Sequence, residues 1–257
     1  MIYYIATETG KAVRSRYAGY YLAGVVAVCV LANLAMVGFR DIIYGTNDGT
    51  FGYNIIMFAE GFFWIPYYSC IFIADLVCGR QYPDPYLRDR SNIGLKRHDI
   101  FFGKLISEFI MLFIFTILSF VIFILVTMIF QIYDGSIDSS IILDFAYNLL
   151  IAVPLFMAGT AIGNMFLFAF EGKKYAYTGY IITIIVIPRI VMLLGAAPFS
   201  IAPFCWIKDK ILLTPQFTSL QFFATRDVSH IIISSVIFII LSSIVGCICY
   251  NKKVFEG

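Results

Sequence analysis

An all-α polytopic membrane fold is what this sequence predicts, on three observations. First, 61% of the 257 residues are apolar and 13% charged, whereas soluble domains run at about 45–50% apolar and about 25% charged. Second, apolar runs of about 20 residues, the length that crosses a hydrocarbon core, recur along the whole chain. Third, the basic residues are partitioned unevenly between the connections. One integral membrane domain over 1–257 is expected, because no internal repeat, low-complexity run or soluble linker interrupts it.

Residues 1–19 mix Ile2, Tyr3, Tyr4 and Ile5 with Lys11, Arg14 and Arg16. That pattern suits a helix lying along the inner interface; a frayed tail is the plainer alternative. The first span, YYLAGVVAVCVLANLAMVGF, covers 20–39. Basic residues before it raise the possibility of a signal peptide, but no clean small-x-small cleavage site follows, so a retained span is expected. Further spans are expected at 55–78, 105–132, 142–170, 175–196 and 231–250, six in all, which places both termini on one side.

The positive-inside rule chooses that side. Lys11, Arg14, Arg16, Arg80, Arg88, Arg90, Lys96, Arg97, Lys104, Lys173, Lys174, Lys252 and Lys253 fall with the termini and the second and fourth connections. Arg40, Lys208, Lys210 and Arg226 fall opposite, thirteen against four, with Arg189 inside a span. Cytoplasmic termini in a bacterial plasma membrane are expected. The connection 197–230 is too apolar for a solvated loop, and Pro198, Pro203 and Pro215 cut it into pieces too short to span. Short helices dipping into the outer leaflet and returning are expected there, because irregular backbone at membrane depth must be shielded by protein or line a wet cavity.

The second connection, 79–104, concentrates charge in an otherwise apolar chain. Pro83 and Pro85 stop the second span from continuing as a smooth helix. PYLRDR opens a short charged helix, and a turn at Asn92–Gly94 leads into the third span. Such an element can carry force from a soluble partner into the membrane. The plainer alternative is that its Arg and Lys only fix topology and bind anionic lipid.

The stretch IADLVCGRQYPDPYLRDRSNIGLKRHDIFFGKL resembles the first cytoplasmic loop of ABC-2-type transporter permeases, with Asp75, Gly79, Gly94, Arg97, Ile100, Phe101 and Lys104 at the corresponding positions. The layout of six spans, a basic amphipathic N-terminus, an outer re-entrant segment and a basic C-terminus is similar too. The resemblance implies the permease subunit of an ATP-driven exporter, working as a homodimer or heterodimer of permease copies in membrane lipid. It implies a coupling helix bearing Asp84, Tyr86, Leu87, Arg88, Asp89 and Arg90, with Arg97 and Lys104 in the coupling set. It also implies a separate ABC ATPase holding ATP and Mg. This chain has no phosphate-binding loop of its own: Gly10–Lys11 and Gly103–Lys104 are preceded at the required spacing by Ile5 and His98 instead of glycine. Relatives of this size export hydrophobic or amphipathic cargo, with a peptide toxin or bacteriocin favoured, or confer self-immunity.

Within the spans, Glu60 and Arg189 are expected at matching depths of roughly 9–12 Å from the outer ends. Intramembrane ionisable groups mark functional sites by default. The pair is expected either to line the translocation path, with Phe63 and Tyr67 in its aromatic wall, or to lock two spans. Pro66 and Pro188 bend the helices beside them. Glu108 and Asp144 are placed near span ends as interfacial groups. Asn148, Thr160 and Asn164 read as helix-joining residues, and AGTAIG at 158–163 as a close-approach surface.

Catalysis by this chain is not expected. No G-x-S-x-G occurs, and His98 and His230 fall on opposite sides of the membrane. The six cysteines match no metal spacing, and no cofactor or nucleic-acid partner is implied. Two rivals stay open: a non-ABC carrier, such as a small-molecule uptake subunit or secondary transporter, and a non-transporting immunity or sensor protein. Alkaline phosphatase fused after Ser91 should be inactive, and fused after Ser200 active; the reverse pattern overturns the orientation.

Overall fold

The computed structural model describes residues 1–43, 51–78, 97–130, 139–170, 172–197, 199–221 and 227–253. Every regular element among them is helical. In order they are α1 (Ile2–Val13), α2 (Arg16–Ile43), α3 (Phe51–Gly61), α4 (Trp64–Cys78), α5 (Arg97–Phe130), α6 (Ser139–Ala169), α7 (Lys173–Ile181), a π turn (Ile182–Val186), α8 (Ile187–Leu194), α9 (Ala202–Lys210), a 3-10 turn (Thr214–Leu220) and α10 (Val228–Lys253). Five helices are long and apolar enough to cross a bilayer, or six if the bent pair α3–α4 forms one span. This is the architecture of a helical, multi-pass membrane protein.

The second apolar run is not one continuous helix: its two halves meet at 60°. Pro66, in the first turn of α4, is the physical reason, because it lacks an N–H and its ring excludes the carbonyl four residues back. That carbonyl, of Phe62, accepts from Ile65 at 2.9 Å instead. Phe62 and Phe63 donate to the carbonyls of Ala59 and Glu60 at 3.1 and 3.4 Å. Tight i to i+3 bonds therefore hold the bend together, as backbone at membrane depth requires. Near Pro188 the fifth apolar run stays continuous, and the π turn just before it absorbs the local mismatch.

α6 is the centre of the bundle. It packs against α10, α4, α7, α5, α3 and the 3-10 turn. Small residues permit this. A Cβ added at Gly159 would meet the Tyr67 ring at 2.9 Å, and one at Gly163 would meet the Ile71 Cα at 3.2 Å. From the α10 side, a Cβ at Gly246 would meet Phe101 at 3.0 Å and the Met165 Cα at 3.3 Å. Where lipid supplies no hydrophobic drive between helices, close backbone approach is what holds them.

α1 lies against α5 and α4. Tyr4 fills the space over Gly103, and Ser107 Oγ lies 3.3 Å from the Ile5 carbonyl. Ile2 and Tyr3 remain exposed on its other side, as an interfacial helix needs. α2 packs on α5 and α3, with Asn33 Nδ2 3.5 Å from Thr127 Oγ1. Between α8 and α10, α9 packs on α8, while the 3-10 turn buries Phe217 and Leu220 and holds α10 through Ser234 donating to Gln216 Oε1 at 2.9 Å.

Gly163→Leu should destabilise the protein by about 1–3 kcal/mol, since the obstructing atom is backbone and cannot swing away. Gly24→Ala, at a position with open space within 4 Å, should not. Thermal unfolding in detergent compares the two.

Candidate functional site

Two carboxylates are buried inside apolar helices, and each meets an amide from α6. Glu60, 1% exposed on α3, accepts from Asn148 Nδ2 at 2.7 Å. Glu108, wholly buried on α5, accepts from Asn164 Nδ2 at 2.7 Å. Sixteen residues separate the two asparagines, about 24 Å of helix, so one clasp sits toward each end of α6. A hydrogen bond to a charged group contributes about 1.5–3 kcal/mol. A lone charge at the bilayer centre costs on the order of 2.5–3.5 kcal/mol. One well-aligned amide therefore offsets most of the burial cost.

The Glu108 clasp joins three helices. Cys78, the last residue of α4, lies with Sγ 3.0 Å from the same Oε1 that Asn164 donates to. Lys104 precedes Glu108 by one helical turn, is likewise wholly buried, and acts electrostatically on both Glu108 and Cys78. Three helices thus converge on one carboxylate. A turn before Cys78, Asp75 is fastened to α7: Lys173 Nζ lies 2.9 Å from Oδ1, and Tyr177 Oη donates to Oδ2 at 3.1 Å.

These placements revise the sequence expectations at several points. Asp144 is exposed, whereas Glu108 is enclosed by α4, α5 and α6. Lys104, expected in the coupling set, is wholly buried within this chain, one helical turn from Glu108. Arg189 does not turn to Glu60. It is exposed on α8 with its guanidinium carbon 5.4 Å from the Trp64 ring centroid, a cation–π contact. Phe63 and Tyr67 belong to the packed core, against Phe145 at 5.5 Å and Phe217 at 5.2 Å between ring centroids. Asp84, Tyr86, Leu87, Arg88, Asp89 and Arg90 lie outside the described residues, and Arg97 opens α5.

Aromatic surface remains outside that core. Phe58, Phe62, Trp64 and Tyr68 form a chain of rings with successive centroids 4.5, 5.8 and 5.3 Å apart. Phe58 and Phe62 are exposed, and Arg189 caps the chain at Trp64. Among the described residues no cluster of His, Cys, Asp and Glu is arranged to hold a metal, and the cysteines are all free thiols. Asn164 and Cys78 were legible in sequence only as packing residues; their convergence on Glu108 is a product of tertiary structure. The spacing of Asn148 and Asn164 on one helix was the available signal.

No protein-family model matches the chain, and no curated protein matches it. The residues themselves carry the functional reading.

Replacing Asn148 by Leu removes the amide donor to Glu60 and should destabilise the fold by about 1–3 kcal/mol. A double-mutant cycle with Glu60→Gln should return a coupling of about 0.5–3 kcal/mol, read from denaturant unfolding in detergent.

Proposed function

We propose that this chain is the membrane-spanning permease subunit of an ATP-driven exporter of the ABC-2 type. A separate ATPase, holding ATP and Mg, docks on the charged connection between α4 and α5. The working unit contains two permease copies, because an ATPase pair that closes symmetrically is best matched by a two-fold pair of membrane subunits. The termini and this connection are cytoplasmic in a bacterial plasma membrane.

The supporting observation is the fastening of Asp75. This acidic residue precedes the charged connection, and it is tied to Lys173 and Tyr177 at the start of α7. The stem of one basic connection is thereby joined to the stem of the next. A push on the first connection is shared by both, which is the mechanical property a driven permease needs. A connection that only fixed topology would have no use for it.

Support for the substrate class comes from the aromatic chain Phe58–Phe62–Trp64–Tyr68, exposed at Phe58 and Phe62 and half-buried at Trp64 and Tyr68, and from its Arg189 cap. Ring faces with one cation suit a hydrophobic or amphipathic cargo, a peptide in preference to a small polar solute.

Co-expression with its ATPase should yield a complex whose ATP hydrolysis is stimulated by this chain. Arg88→Glu with Arg90→Glu should abolish that stimulation while leaving the chain folded. Transport by this chain alone in liposomes would overturn the proposal and favour a secondary carrier.

A further inference from the structure

We infer that Glu108 is a positioning residue that transmits displacement of the α4 and α5 ends to the central helix α6. The inference rests on the permease reading. Its geometric basis is that one oxygen, Glu108 Oε1, serves two helices at once. Cys78 Sγ, at the very end of α4, lies 3.0 Å from it, and Asn164 Nδ2, on α6, lies 2.7 Å from it. The carboxylate itself belongs to α5. Both helices that carry the charged connection are therefore joined to α6 through a single atom.

Apolar contacts between helices in lipid allow side chains to slide with little penalty, whereas a hydrogen bond is lost when its angle falls steeply below its optimum. A rotation of the α4 end that carries Cys78 away thus forces Glu108 to follow or the bond to break. Because Asn164 shares the acceptor, α6 is drawn along. α6 in turn contacts almost every other span, so a local push becomes a movement of the bundle. Lys104, one turn away on α5 and likewise buried, acts electrostatically on the same carboxyl group. Asp75 limits the alternative of α4 moving alone, since it is held to Lys173 and Tyr177.

A purely structural lock would use the same atoms, so the test must separate transmission from stability. The full permease–ATPase complex is placed in lipid nanodiscs, and hydrogen exchange is followed with and without ATP and vanadate. Two regions are read: the basic-end turns at 70–78 and 97–104, and the far end of α6 at 139–150. In the wild type nucleotide should change exchange in both. The double variant Lys104→Met with Glu108→Met removes both buried charges together instead of stranding one of the two, and it takes the shared acceptor away from Cys78 and Asn164. It should keep the response at 70–78 and 97–104 and lose it at 139–150. Lys104→Met with Glu108→Gln retains an acceptor oxygen for Cys78 and Asn164, and should restore the response at 139–150.

A full response at 139–150 in the methionine pair overturns the inference, while the permease reading stands. Loss in both the methionine and glutamine pairs also overturns it, because an acceptor was then not what mattered. A wild-type complex in which nucleotide changes neither region overturns the permease reading and the inference together. Should the methionine pair fail to fold, Asn164→Leu breaks only the α6 side of the junction and is expected to give the same selective loss; retention of the 139–150 response there overturns the inference.

Discussion

The bundle depends on finding a donor for each carboxylate it encloses. A charged group among apolar helices has no water to turn to, and the penalty is large enough to dictate which face of a helix points inward. Asn148 and Asn164 meet that demand from α6, against Glu60 and Glu108. Turning α6 by a single residue, about 100°, would carry both amides away from their acceptors. The two clasps therefore fix the rotation of the central helix at two heights, and the helices around α6 are positioned relative to a fixed reference.

Packing then follows from that fixed rotation. Gly159 and Gly163 face α4, where Tyr67 and Ile71 fill the space a side chain would take. Thr160, between them, returns its hydroxyl to the Phe156 carbonyl at 2.9 Å. Tyr180 of α7 donates to the Tyr67 carbonyl at 3.0 Å, so α7 reaches α4 at the same level. Close approach, a bent second span and the aromatic layer of Phe63, Phe145 and Phe217 are consequences of one another. The bend turns α3 so that Glu60 reaches Asn148 and Phe63 reaches Phe145 from adjacent turns.

Much of this was legible in the sequence. Apolar run length located the spans because hydrocarbon thickness is a physical ruler, and the AGTAIG stretch announced a close-packed face because small residues have few other uses in lipid. The fate of the individual charges was not legible. Depth along a span can be counted from sequence, but azimuth depends on the neighbours chosen in three dimensions. Glu60 and Arg189 matched in depth and diverged in azimuth: one turned to Asn148, the other to Trp64. Glu108 lies near one end of its apolar run and reads as interfacial, yet α4 ends against it and α6 runs past it, so that it is enclosed. Lys104 shows the same limit, since a loop-flanking lysine and a buried lysine look alike until the adjoining helices are placed.

The two clasps sit toward opposite ends of α6. Glu60 sits just before a break that already bends its span, with its amide partner on α6. Glu108 meets a thiol and an amide from α4 and α6 and the field of an ammonium on α5, beside Cys78 where α4 ends and about three turns along α5 from Arg97. The partners of Glu108 join α4, α5 and α6, and they do so at the end of the bundle richest in basic residues. α6, about 46 Å long at 31 residues, carries both clasps and so sets the distance between them.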